Sequence, residues 1–138
     1  MTGLLTALGT AASCTAARWY LDRAARRERS YWGDRVRLTA LWNRGAAFGL
    51  PVPARWLPAA GALALAGLLR WGRRCPAGAG LVLGGGLSNL YERVRHRRVY
   101  DYLRFPKVPG PLGRYVYNLA DLAVFAGVGA LLLSRRRR

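Results

Sequence analysis

Hydrophobic and polar positions along this chain are sorted into blocks. Four apolar stretches, approximately residues 3–20, 56–70, 76–92 and 116–133, are separated by strongly basic segments. Such sorting predicts membrane helices and not a water-soluble core. The first stretch closes with Arg18-Trp19-Tyr20, a combination suited to a membrane interface. No Lys or Arg precedes it, so it reads as a retained helix and not a cleaved leader, although Ala11-Ala12-Ser13-Cys14 loosely resembles a lipoprotein cleavage box. The second and third stretches fall short of the roughly 20 residues of a standard span, but their flanking Arg, Trp and Tyr can snorkel to the headgroups. Glycines in the third suit close helix packing. Between the first two blocks, residues 22–37 are charged and belong in water or at headgroups. Val36–Trp42 then alternates, with Val36, Leu38, Ala40 and Trp42 on one side, which predicts a short strand or extended arm on the membrane surface. The expected fold is all-α: four transmembrane helices in a single membrane-embedded domain, residues 1–138, with a small extracytoplasmic extended or β arm.

Composition sharpens the choice of partner. Twenty-three basic residues face only six acidic ones, a formal charge of +17. That balance suits nucleic acid or an anionic membrane surface. With 52% hydrophobic residues gathered in blocks, membrane lipids are the expected partner and nucleic acid is not. Mean hydropathy stays near zero because arginines fill the gaps. Cys14 and Cys75 make no Cys-x-x-Cys pair, and His96 has no His or Cys at ligand spacing, so neither metal nor other cofactor is expected. Gly84-Gly85-Gly86 lacks the Gly-Lys-Ser/Thr of a phosphate loop.

The scarce acids are unevenly placed. Three of the six, Glu92, Asp101 and Asp121, lie between Gly84 and Asp121. Asp121 stands in the opening turn of an apolar segment, where an ionisable group is costly and points to function. Asn89 and Arg93 share one helix face, four residues apart, and Asn118 and Asp121 share another, three apart. Pro106, Pro109-Gly110-Pro111 and Gly113 favour turns in the linker between, able to return the chain so that Asp101 approaches Asp121. Two adjacent carboxylates would share a proton, one activating water as base and the other serving as acid. Arg93 and Asn118 would orient or polarise. Structural readings stand beside these: a helix N-terminal acid for Asp121, a surface ion pair for Asp101, a turn for Asn43, a cap for Asn89 and a snorkelling side chain for Arg93.

Four motifs in order resemble the signal peptidase II family. Asn43-Arg44-Gly45-Ala46-Ala47-Phe48-Gly49 is similar to its Asn-x-Gly-Ala-Ala-Phe motif, and Gly85-Gly86-Leu87-Ser88-Asn89-Leu90-Tyr91-Glu92-Arg93 to its Gly-Gly-x-x-Gly-Asn-x-x-Asp-Arg helix end. Val99-Tyr100-Asp101-Tyr102 resembles its Val-x-Asp-Phe strand, and Tyr117-Asn118-Leu119-Ala120-Asp121 its Phe-Asn-x-Ala-Asp motif. The resemblance implies an intramembrane aspartyl endopeptidase of the bacterial cytoplasmic membrane. Such an enzyme removes the signal peptide of a lipid-modified prolipoprotein just before the diacylglyceryl cysteine. It implies catalytic Asp101 and Asp121, supporting or substrate-binding Asn43, Asn89, Arg93 and Asn118, no metal, and a monomer with both termini cytoplasmic. Glu92, Ser88, Tyr102 and Tyr117 depart from the family residues. So does the first helix, where Ala12–Ala17 offers neither acid nor base for the family's Asp-Gln-x-x-Lys motif.

Other readings follow from the same residues. A non-catalytic relative binding lipidated peptides would suit the missing first-helix motif, and a basic membrane adaptor would suit the arginines. With both termini inside, seven basic residues fall on the cytoplasmic side and sixteen outside, the reverse of the positive-inside bias.

Overall fold

A computed structural model of the chain describes residues 1–44, 66, 68 and 72–136. The predicted second apolar block, apart from Ala66 and Leu68, and the Gly45–Gly49 part of the first motif lie outside the described residues. Three long helices are present there: α1 (Thr2–Ala25), α2 (Pro76–His96) and α3 (Leu119–Arg136). Four strands accompany them: β1 (Arg29–Tyr31), β2 (Val36–Asn43), β3 (Val99–Arg104) and β4 (Val116–Tyr117). They form one antiparallel sheet in the order β1-β2-β3-β4.

The all-α expectation of four transmembrane helices is thus corrected on two counts. The extended arm is one strand of a four-stranded sheet. In addition, no described helix is long and apolar enough to cross a membrane. The sequence explains the shortfall. Helix α1 is diluted by Thr, Ser and Gly and carries Arg18, α2 holds glycines with Ser88, Asn89, Glu92 and Arg93, and α3 has Asp121 at one end and Arg135 at the other. Apolar blocks visible to the eye lose their margin once these residues are included.

Helix α2 is the central post, packed on α1 along one side and on α3 along the other. Glycines make both contacts close. A Cβ on Gly84 would strike the Ala7 carbonyl and Thr10 of α1, and one on Gly85 would lie 2.5 Å from the Ala120 carbonyl of α3. Ala120 stands one residue before Asp121, and Asn89 is one helical turn beyond Gly85. The glycine contact therefore sets how near those two side chains come.

The sheet docks on the far end of α1. Leu38, Tyr100 and Tyr102 bury themselves with Ala25 in a small core, with Leu21, Ala24, Leu103 and Leu119 packed around it. Alternation along β3 then turns Asp101 to the opposite face from Tyr100 and Tyr102. The β2–β3 ladder pairs Leu38 with Leu103 but Leu41 with Asp101, so a bulge intervenes. After it, Asn43 pairs with Val99, which leaves Asp101 two residues along on the same face, a diagonal neighbour within side-chain reach. Without the extra residue Asn43 would point to the other face. The charged stretch after Tyr20 is divided between the last turn of α1 and the β1–β2 hairpin.

Candidate active site

Two short connections bring the acids together. Strand β3 pairs with β4 through Leu103–Tyr117 and Arg104–Val116, so the proline-rich linker returns the chain beside the strand it left. Gly110 takes a positive φ of 77° in that return, a conformation glycine adopts at little cost. Helix α3 begins one residue after β4. The buried Tyr102 hydroxyl accepts the Leu119 N–H at 3.1 Å, tying the residue after Asp101 to the start of that helix.

Asn118 caps α3 and does more. Its side-chain oxygen accepts the Asp121 N–H at 2.9 Å, while its own N–H donates to Asp121 Oδ2 at 3.0 Å. This reciprocal pair is a capping box with Asp at its fourth position. Asp121 is therefore a helix N-terminal acid as well as a site residue. The Asn118 amide nitrogen spends its two hydrogens on Asp101 Oδ1 at 2.9 Å and Asn89 Oδ1 at 3.0 Å. Asn89 in turn donates to Asp121 Oδ1 at 2.9 Å, and Asn43 donates to Asp101 Oδ2 at 3.1 Å. Asn118 and Asn89 thus bridge the two carboxylates, and Asn43 holds the other oxygen of Asp101. Every hydrogen of the Asn118 amide is used, which fixes its orientation.

Asp101 is 3% exposed. Burial first, and the neighbouring Asp121 charge second, push its carboxyl up to about 7. Hydrogen bonds from Asn43 and Asn118, and the charge of Arg93, oppose the rise. Both acids line one recess with Asn43, Asn89, Arg93, Tyr117 and Phe125, and about 20 Å³ within it has room for a water. About 10–15 Å³ suffices for one water molecule. The six residues singled out in the sequence are therefore neighbours, from four different elements. Such an arrangement has room for a water between two carboxyl groups.

Two contributors escaped the sequence reading. Arg18 stands one helical turn after Cys14 on α1 and pairs with Glu92 at 3.0 Å. The other oxygen of buried Glu92 accepts the Tyr100 N–H at 2.8 Å. One carboxylate thereby joins α1, α2 and β3, directly before Asp101. The first helix does supply a polar contact, from just beyond the Ala12–Ala17 stretch. Tyr102 is the other, since its hydroxyl distinguishes it from the family's Phe. Among the described residues no three His, Cys, Asp or Glu side chains converge as a metal site requires.

Known proteins share this arrangement of elements. Residues 8–136 match the family described as signal peptidase (SPase) II. The lipoprotein signal peptidase of Methylorubrum extorquens (strain PA1) is 37% identical over 107 residues, 70% of this chain and 61% of that protein. Its counterpart in Desulfitobacterium hafniense (strain DSM 10664 / DCB-2) is 38% identical over 111 residues, 72% of this chain and 68% of that protein. The chain thus spans between three-fifths and seven-tenths of the length of these relatives. A solved bacterial membrane enzyme, determined by the in meso method, superposes with a TM-score of 0.81 at 17% identity, covering 97% of this chain and 87% of its own. A second gives 0.77 at 17% identity, covering 99% and 93%. At that identity the likeness speaks for the fold alone. From α1 through α3, motif order and sequence identity agree, and the chain belongs to the signal peptidase II family.

Proposed function

We propose that this chain is an aspartyl endopeptidase of the bacterial cytoplasmic membrane that removes the signal peptide of lipid-modified prolipoproteins just before the diacylglyceryl cysteine. The observation that carries the reading is the pair of carboxylates, Asp101 from a strand and Asp121 from a helix start, joined through asparagines around a water-sized recess. Family membership supplies the substrate class. The first-helix contact from Arg18 to Glu92 supports the catalytic reading over a non-catalytic relative, because α1 reaches the frame of the site without the family's motif.

In the proposed reaction, Asp121 takes a proton from a water held in the recess as the water oxygen attacks the scissile carbonyl carbon. Asp101, whose carboxyl sits at about 7, gives its proton to the carbonyl oxygen. Collapse of the tetrahedral intermediate breaks the C–N bond: the departing nitrogen takes a proton from Asp121, and a hydroxyl of the intermediate returns its proton to Asp101 as the carbonyl re-forms. Arg93, on the recess wall, faces the charge that develops on the oxygen. Asn43, Asn89 and Asn118 hold the two carboxylates at fixed separation. The whole chain works as one membrane-embedded unit and as a monomer, with both termini toward the cytoplasm and the acids near the outer face. Cleavage of a diacylglyceryl-modified prolipoprotein by the purified chain tests the reading. Cleavage that persists in Asp101→Asn or Asp121→Asn would refute the pair.

A further inference from the structure

The β1–β2 hairpin is the part of the chain that the peptidase reading does not use. Its tip, residues 32–35, turns through three consecutive positive-φ residues, Trp32 at 51°, Gly33 at 61° and Asp34 at 69°. Two of these are not glycine, so local bonds must hold the turn. Asp34 supplies them, accepting from Arg37 Nε at 2.9 Å and from the Ser30 hydroxyl, while the Arg35 N–H reaches the Trp32 carbonyl at 3.4 Å. The turn is built in advance, and what it presents is Trp32, 78% exposed, with Tyr31 beside it at 41%.

Charge around the tip is predominantly positive. Arg29, Arg35 and Lys107 are exposed, and the Lys107 ammonium lies 3.9 Å from where a Cβ on Gly33 would stand. Of the acids nearby, Asp34 is consumed by Arg37, and Glu28 accepts from Thr39. Among the described residues no ion pair is formed by Arg29, Arg35 or Lys107. A rigid exposed indole ringed by cations is complementary to the headgroup layer of an anionic bilayer, where indole rings prefer to lie and each basic residue gains attraction. An acidic peptide would match the cations but leave the indole in water.

We propose that the β1–β2 hairpin is a lipid-docking element, seating Trp32 in the headgroup layer of a bilayer of anionic phospholipid while Arg29, Arg35 and Lys107 bind its phosphates. Docking would fix the sheet, and with it Asn43 and Asp101, at a set height over the membrane. It would also explain how a chain with sixteen basic residues outside its proposed cytoplasmic segments remains in that orientation: the charges are held at a lipid surface.

The test uses the full chain in vesicles of phosphatidylcholine alone or mixed equally with phosphatidylglycerol, each doped with a lipid carrying a nitroxide near the headgroup. The difference in tryptophan quenching between the parent and Trp32→Phe isolates Trp32. Quenching of that component in the mixed vesicles, weakened by high salt, is expected. Arg29→Gln with Arg35→Gln should lower the ratio of seated to free hairpin roughly thirtyfold. Equal quenching in both vesicle types, or quenching only by an added nitroxide-labelled acidic peptide, would overturn the proposal. Prolipoprotein cleavage in detergent should be unchanged in all these variants. Failure of the parent to cleave would therefore sink the peptidase reading while leaving the lipid result to stand or fall by itself.

Discussion

The acid recess and the hairpin tip treat a carboxylate in opposite ways. At the tip, Asp34 lies in water and is clasped by the Arg37 guanidinium, which with Ser30 holds its carboxyl below the usual carboxylate range. In the recess, Asp101 is buried and clasped by neutral amides, and its carboxyl rises to about 7. In the proposed mechanism, a chain so rich in arginine has to keep full cationic neutralisation away from the carboxylate that exchanges protons near neutral pH. Asparagines do this: they satisfy lone pairs without fixing the charge. Arg93 acts on Asp101 only as the smallest of the opposing influences.

The largest expected consequence of that contrast is in catalysis. Asp101→Asn and Asp121→Asn should each lower cleavage by about 10²–10⁴-fold or more, whereas Asp34→Asn should leave the rate of detergent-solubilised enzyme unchanged. A steady-state cleavage assay separates them. Equal effects at the three positions would erase the comparison.

The recess also depends on helices that touch backbone to backbone. Gly85→Leu would force α2 away from the Ala120 carbonyl and carry Asn89 off Asp121. A cost of about 1–3 kcal/mol is expected for such overpacking, with a matching loss of activity, read by denaturation in detergent and by cleavage.

Removing one partner of the Arg18–Glu92 pair comes next. Arg18 is 27% exposed, so Arg18→Met should cost less than the ~3–5 kcal/mol of a fully buried pair. Arg18→Lys should restore most of it. A double-mutant cycle with Glu92→Gln measures the coupling. If Arg18→Met reduced kcat as Asp101→Asn does, Arg18 would belong to the chemistry and not to the frame.

Stability should also depend on pH through Asp101. Its folded pKa of about 7 lies above the ordinary 3.8, so the folded state binds more protons than the unfolded state between those values. The stabilisation is complete below the ordinary pKa and is lost as pH rises through about 7. Asp101→Asn should therefore raise Tm at pH 8 relative to the parent and leave it little changed at pH 4. Asp34, with its depressed pKa, contributes the other way, stabilising above the ordinary value and losing its contribution as pH falls; lying at the solvated hairpin tip, its effect should be the smallest seen in the same melts.

Much of the site was legible because its residues sit in motifs whose spacing is local. Asn118 and Asp121 share a helical turn, and Asn89 and Arg93 share another. The strand at Val36–Trp42 was visible from alternation, and ends at Asn43. The sheet as a whole was not, because β1 and β4 are three and two residues long. Strands so short have no periodicity, and their pairing is set by the ladder and the linker. Side-chain phase within β2 was also hidden: a bulge between Leu38 and Leu41 reverses the simple alternation and aims Asn43 at Asp101. The Arg18–Glu92 pair was missed because both residues had local explanations, an interfacial belt and a neighbour of Arg93, while their contact spans 74 positions.

The central claim is that Asp101 and Asp121 are coupled and hold a proton between them near neutral pH. With only four aspartates in the chain, Asp22, Asp34, Asp101 and Asp121, carbon-13 labelling of aspartate carboxyls allows each to be followed by NMR through a pH titration. The Asp101 signal should titrate near 7 in the parent, and its midpoint should fall when Asp121 is replaced by Asn. An Asp101 midpoint in the ordinary carboxylate range, unmoved by Asp121→Asn, would contradict the pair.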